Sequence, residues 1–235
     1  GYFVWETDKP PENSKWESLF NNLDGLWVSA EFLVHVARRL GWNKDIHIVP
    51  WPMKQIDRNS QALKPGEICI HQLGPKGISK ISHSEFIESG INYFFSVSSD
   101  APRKALPVLL SEWVSYKLKS KKHKSLLLKI STFNFSKTEE VLLRECKKLL
   151  DFACAGRTLS NPDFFVITDN LSEDELSFFY DASCAFVTTT VGEGFGGPIA
   201  EAALMGKVVL SPRHSSLKSI IPEDYDFILS HETVT

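Results

Sequence analysis

The chain has 235 residues, enough for one large domain or two small ones, and its 43% hydrophobic and 23% charged residues are those of an ordinary globular protein. A net charge of −3 excludes any global attraction to nucleic acid. Four cysteines without CxxC pairing and seven histidines without HExxH spacing give no sign of a structural or catalytic zinc, and point to a reducing, cytoplasmic setting in which Cys146 and Cys184 are buried and inert. No apolar run is long enough to span a bilayer and no signal-peptide pattern is present. The basic run Lys117 to Lys124 reads as a solvated helix end, with peripheral contact to the inner face of a membrane as the other reading.

In chain order, Tyr2–Thr7 predicts a strand, and the S-x-x-E box Ser14 to Glu17 opens a helix running to about Leu23. Gly25–Ala30 predicts a strand, Glu31–Leu40 a helix stopped by Gly41, and Asp45–Pro50 a third strand. Residues 51 to 92 hold prolines, glycines and little periodicity, so a connector with a single strand at Ile68–Leu73 is expected there. Alternation then resumes. Strands are predicted at Tyr93–Ser99, Ser125–Ser131 and Phe164–Thr168, and helices at Leu106–Lys119, Thr138–Ala153 and Ser172–Asp181. Capping boxes at Ser136 to Glu139 and Ser172 to Glu175 open the last two helices. The strand Cys184–Thr190, a glycine turn, the helix Pro198–Met205, the strand Val208–Ser211 and a short strand at Asp226–Leu229 complete the pattern. Strand–helix alternation of this kind predicts an α/β fold of parallel sheets covered on both faces.

The glycine turn, Val191-Gly-Glu-Gly-Phe-Gly-Gly-Pro-Ile-Ala-Glu201, carries most of the chemistry. The first amides of a helix have no partner inside it, and the aligned peptide dipoles add partial positive charge there. Glycines let an anion approach that backbone, so the spot suits a phosphate. Glu193 and Glu201 would repel a phosphate, and suit sugar or ribose hydroxyls instead. Phosphate amides beside hydroxyl-accepting carboxylates point to a nucleotide-sugar site. A purely structural turn is the plain alternative. A sharper one is the dinucleotide pattern G-x-G-x-x-G of Gly192, Gly194 and Gly197, with Arg213 available for an NADP 2′-phosphate. That pattern belongs in the first strand–helix turn of its domain, whereas about three strand–helix units precede this one.

The segment Glu193 to Glu201 resembles the E-x7-E motif of retaining glycosyltransferases of the GT-B fold, family four. Phe164-Phe-Val-Ile-Thr-Asp-Asn-Leu-Ser-Glu-Asp-Glu-Leu and Tyr180-Asp-Ala-Ser-Cys-Ala-Phe-Val resemble the segment preceding that motif. Phe94-Phe-Ser-Val-Ser-Ser-Asp-Ala-Pro-Arg-Lys104 resembles the opening strand of the family's donor-binding domain. The early runs 1–6, 24–32 and 48–52 are similar to the close of the acceptor-side domain. The resemblance implies Rossmann-like domains, with residues 1–52 the end of an acceptor-side domain, 53–92 a connector and 93–235 a nucleotide-sugar donor domain.

The resemblance also implies roles. Glu201 would accept from the ribose hydroxyls, and Glu193 would touch the donor sugar. Gly194, Phe195, Gly196 and Gly197 would face the sugar and diphosphate. Lys104, assisted by Arg103, would neutralise the departing diphosphate, stabilising charge that grows in the transition state. Thr168, Asn170 and Leu171 would line the base. The family needs no metal or other cofactor; its donor is a nucleotide-diphosphate sugar and its acceptor a glycan or lipid-linked molecule, as in polysaccharide biosynthesis. The family's further arginine, six residues before the lysine, is replaced by Ser98.

The chain also begins at a strand that follows several others in the family, so part of a larger polypeptide is expected. Phe3, Trp5 and Trp27 are then candidates for a shared surface or for a small core. Glu6 stands where relatives place an active-site histidine, either to bind the acceptor hydroxyl or as a solvated strand end. The alternative function is a non-catalytic nucleotide-sugar-binding module of a glycan-assembly protein.

Overall fold

A computed structural model describes residues 1–7, 16–53, 68–120, 122–132, 137–157, 159 and 161–230. It divides into two compact units, one of Gly1–Lys54, Thr190–Glu201 and Ser211–Thr235, the other of Gln55–Thr189 and Ala202–Leu210.

In the first unit β1 (Tyr2–Phe3), β2 (Gly25–Val28) and β3 (Asp45–Ile48) form a parallel sheet in that order, with α1 (Trp16–Asn21) and α2 (Glu31–Arg39) in the connections. Side chains alternate across a strand, so Leu26 and Val28 share one face with Phe3. That face packs with Leu33, Val36 and Ala37 of α2, whose spacing of three and four residues makes one helical stripe. Phe20 stands edge-on to Phe3 and to Trp42 within this core. Of the three aromatics left open by the sequence, Phe3 is in the core, Trp5 is half-buried against Trp16, and Trp27 faces out at 55% exposure. The strand expected over Tyr2–Thr7 stops at Phe3, because the backbone beyond it is pressed against the glycine turn described below. The box at Ser14 lies outside the described residues, as does Ser136 of the second box.

The second unit is built on β4 (Cys69–Gly74), β5 (Gly77–Ser82), β6 (Tyr93–Ser99), β7 (Ser125–Ser131), β8 (Phe164–Ile167) and β9 (Ala185–Val187). Their order is β9-β6-β7-β8-β4-β5, with Val209–Leu210 of β10 (Val209–Pro212) beyond β9. All neighbours are parallel except at β4, which runs antiparallel to both β5 and β8. Helices α3 (His83–Glu88), α4 (Leu106–Lys119), α5 (Glu139–Cys154) and α6 (Glu173–Ala182) belong to this unit. α4 and α5 bury Leu110, Val114, Leu143 and Leu150 against Leu126, Leu128, Ile130 and Val166 of the sheet. On the other face Phe95 and Tyr93 meet Phe179 and Phe86. α7 (Gly197–Leu204) and β10 each run from one unit into the other, and the end of β10 pairs with β11 (Ile228–Leu229) in the first.

Three expectations are corrected here. Residues 69–88, where one strand was expected, hold a two-stranded hairpin and a helix. β5 was invisible to periodicity because it is an edge strand exposed along nearly its whole length, with Lys80 on it, and buries no alternating face. The cap of α5 is Thr138, whose hydroxyl accepts from the Val141 amide at 3.4 Å. Cys184 is exposed, because β9 starts one residue later and leaves the thiol 3.2 Å from Lys124 Nζ. Cys146 is buried as expected, and burial pushes its thiol up to about 12. The boxes at Ser172 and, unforeseen, at Ser82 close on Glu175 and Glu85.

His83, 8% exposed, sits edge-on to Phe178 and Phe179. Burial holds its pKa below the ordinary histidine value, against the weaker opposing pull of Glu175. The folded state therefore binds this proton less readily than the unfolded chain. Its contribution is complete above pH ~6.5 and declines as pH falls toward the folded value, by at most about 1.4 kcal/mol per pH unit. Urea unfolding of His83→Phe is expected to show a shallower loss of stability than wild type between pH 6.5 and 5; parallel curves would contradict this.

Candidate functional site

In the second unit β6 has β7 on one side and β9 on the other, so the strand order reverses between β6 and β9. Open α/β sheets bind ligands outside the carboxyl ends of the strands at such a switch point. The chain leaves β6 into the 3₁₀ turn Pro102–Lys104, where Arg103 and Lys104 are both half-buried. Thr189, two residues past β9, donates its hydroxyl to the carbonyls of Lys104 (3.3 Å) and Ala105 (3.1 Å). The exit of β9 is thus tied to the basic turn. Thr168, Asn170 and Leu171 follow β8 in this same unit. Thr168 Oγ1 is buried with no hydrogen-bond partner among the described residues, Asn170 is exposed and Leu171 half-buried.

The glycine turn, with Glu193, Glu201 and Glu6, belongs to the first unit. The backbone of residues 4–7 lies directly on it. A Cβ on Gly192 would come to 2.3 Å from the Glu6 carbonyl oxygen, and one on Gly194 to 2.6 Å from Val4 Cγ1 and 3.1 Å from the Trp5 carbonyl. Gly196 adopts φ 93°, which favours glycine, and a Cβ there would meet Leu217. The main chain of Glu193 is held from the other side. Its amide donates to Ser215 Oγ at 3.1 Å, and Ser216 Oγ donates to its carbonyl. His214 Nε2 lies 2.7 Å from the Thr190 carbonyl, and Ser29 Oγ donates to the Gly194 carbonyl at 2.7 Å. Glu193 is only 6% exposed, while Glu201 and Glu6 are half-buried. Phe195 stacks on Trp51 at 5.7 Å between ring centres and 28° between planes, and Trp51 keeps 46% of its surface open.

The predicted residues thus fall into two groups, each described by itself. Glu6, Glu193 to Gly197 and Glu201 share the first unit; Arg103, Lys104, Thr168, Asn170 and Leu171 share the second. Ser29, Trp51, His214, Ser215 and Ser216 were not foreseen, since no motif spacing marks a residue that touches a turn only through the fold. Arg213, offered for an NADP phosphate, donates to the Ile221 carbonyl at 2.7 Å and pairs with Glu223 at 3.3 Å. The glycine turn also follows β9 rather than the first parallel strand β6, so neither part of the dinucleotide reading gains support. Among the described residues there is no group of three His, Cys, Asp or Glu side chains that could hold a metal ion, and no helix long and apolar enough to cross a membrane. Lys117, Lys122 and His123 of the basic run line a cleft of about 580 Å³ near the amino-terminal ends of β6, β7 and β8, with Lys117 paired to Asp163.

No protein-family model and no curated protein matches the sequence. Solved structures do. The chain superposes on a trehalose-phosphate synthase from Burkholderia xenovorans with TM-score 0.62 and 10% identity, over 87% of this chain and 49% of that one. A Staphylococcus aureus TarM variant, in complex with fondaparinux, α-GlcNAc-glycerol and UDP, gives TM-score 0.62 and 12% identity over 97% and 40%. The pneumococcal O-GlcNAc transferase GtfA, in complex with UDP and GlcNAc, gives 0.59 and 15% over 99% and 41%. These are GT-B glycosyltransferases, and the chain has the Rossmann-like α/β fold of that type. It spans about half or less of the length of each.

The crowding at the turn separates its glycines. Gly192→Ala is expected to cost about 1–3 kcal/mol, because the atom it meets is main chain, which for a chain of this size lowers Tm by roughly 2–12 °C. Gly197→Ala meets nothing within 4 Å and is expected to be neutral or slightly stabilising. Equal effects in thermal melts would show that the close approach is not real.

Proposed function

We propose that this chain carries the donor site of a retaining glycosyltransferase, which moves a sugar from a nucleotide-diphosphate sugar to a glycan or lipid-linked acceptor. The observation that carries the reading is Glu193. A carboxylate so nearly buried, with its main chain held by two serines inside a glycine turn that opens a helix, suits a hydroxyl-bearing ligand beside a phosphate. Glu201, one turn into α7, is assigned the ribose hydroxyls, and Glu193 the donor sugar. The amides of Gly194 to Gly197 receive the diphosphate. Lys104 and Arg103 neutralise it as it leaves, which lowers the barrier because that charge develops in the transition state. Retention by front-face transfer, assisted by the leaving phosphate, calls for no enzyme nucleophile. Thr168, Asn170 and Leu171 are assigned the base and Glu6 the acceptor side. The Trp51–Phe195 pair offers an exposed apolar ring face for a pyranose.

Uridine diphosphate is the first nucleotide to test, since the TarM and GtfA structures hold it. At a hundredfold excess over Kd, binding to the folded state alone adds about 2.7 kcal/mol, so UDP is expected to raise the wild-type Tm clearly. Glu201→Gln is expected to abolish that rise while leaving the unliganded Tm in place. An unchanged rise in the variant overturns the assignment. Release of UDP from UDP-sugars in the presence of acceptor glycans, unaffected by EDTA, marks a transferase; donor binding without release marks a binding module.

A further inference from the structure

Lys129 lies on β7, an interior strand of the parallel part of the second unit's sheet, and is 8% exposed. Its ammonium makes one hydrogen bond, to the Ile130 carbonyl at 3.1 Å, and no ion pair with any described residue. A lysine so largely buried is costly, because burial penalises its charge and one hydrogen bond to a carbonyl offsets this only in part. Burial lowers its pKa below the usual lysine value, and the more distant Asp169 offsets this only in part. Asp169 is itself engaged, accepting from the Cys69 amide at 2.9 Å.

The position of Lys129 matters more than its cost. It is in register with Val97 of β6 and Ile167 of β8, each within two residues of its strand's carboxyl end. Ser99 and Thr168 therefore stand at the same edge, one as the last residue of β6 and the other just past β8. Both hydroxyls are buried without a partner among the described residues. Ser99, 5% exposed, shares the face of Val97 and Lys129, since alternate residues of a strand point the same way. One under-used ammonium and the Ser99 hydroxyl thus share a face at the edge where open α/β sheets bind their ligands, while Thr168, one residue past Ile167, stands at that edge out of phase with them.

We propose that Lys129, with Ser99 on the same face, selects the nucleobase of the donor by donating hydrogen bonds to the carbonyl at C4 of a pyrimidine or C6 of a purine. The ligand class is a nucleoside diphosphate whose base carries that carbonyl, as uracil, thymine and guanine do. Cytosine and adenine present an amino group at the corresponding edge; it is a donor facing a donor, and both stay unpaired. Sites built around buried hydrogen-bonding groups reject such analogues strongly. The proposal rests on the donor-site reading above and adds the choice of base.

Calorimetric titration of wild type and Lys129→Met with UDP, CDP and inorganic pyrophosphate tests it. Methionine is unbranched, one atom shorter and uncharged, so its unliganded Tm is expected to equal or exceed that of wild type. If it fails to fold, Lys129→Leu, which likewise offers no donor, is read in its place. Wild type is expected to bind UDP at least about tenfold more tightly than CDP. The variant is expected to lose that preference, to within about threefold, with pyrophosphate binding unchanged. A preserved UDP:CDP ratio overturns the proposal, whether or not pyrophosphate binding falls, since a fall would give Lys129 a phosphate role instead. If Glu201→Gln abolishes UDP binding while Lys129→Met leaves the preference intact, base selection fails and the donor reading stands. If wild type binds neither nucleotide, both fail.

Discussion

The first unit depends on the contact between two stretches of main chain far apart in sequence. Residues 4 to 6 press onto Gly192 and Gly194 so closely that a single Cβ would collide with a carbonyl oxygen or with Val4. From the other direction Ser215 and Ser216 grip the amide and carbonyl of Glu193. A carboxylate between such supports has little freedom, and its main-chain polar groups are paired without using the side chain. Rigid placement by the surrounding shell is what a site for a specific ligand needs. It also explains why the turn is so rich in glycine. Gly196 alone of its glycines adopts a left-handed φ, while Gly192 and Gly194 are required by crowding.

How much of this is legible in the sequence depends on what each residue packs against. β6, α4 and β7 coincide residue for residue with the runs that periodicity marks out, because α4 packs its apolar stripe on the sheet and the two strands are buried on both faces. The strand, turn and helix around residues 185–204 are readable for a related reason: a β-branched run, a glycine cluster and an alanine-rich run are distinct local signals. The hairpin at 69–82 is not, since β5 is exposed and polar and its pairing is decided by β4 rather than by its own pattern. Among the proposed site residues, Glu193 and the glycines announce themselves by motif. Ser29, 165 positions from Gly194, and Ser215, 22 from Glu193, are brought to the turn only by the tertiary fold. Lys129 is hidden differently: one lysine in a run of leucines and isoleucine looks like a solvated position until β7 is seen to be buried along nearly its whole length.

Likeness in fold at 10–15% identity fits this division. Parallel sheets need only apolar strands, amphipathic helices and turns in a fixed order, and many sequences meet those terms. The proposed chemistry demands particular residues at a few places, and there the local physics is unusual: a nearly buried glutamate, a buried lysine with no counter-ion among the described residues, and two hydroxyls with no partner among them. Buried polar groups of this kind carry information that fold likeness cannot, since a core does not tolerate them without reason.

The most direct test of the account is a crystal structure of the chain with UDP. Density for the diphosphate against the amides of residues 194–197, with the ribose hydroxyls on Glu201, is the predicted result. UDP bound elsewhere, for instance in the cleft near the amino-terminal ends of β6 to β8, or Glu193 and Glu201 both turned away from the nucleotide, would contradict it.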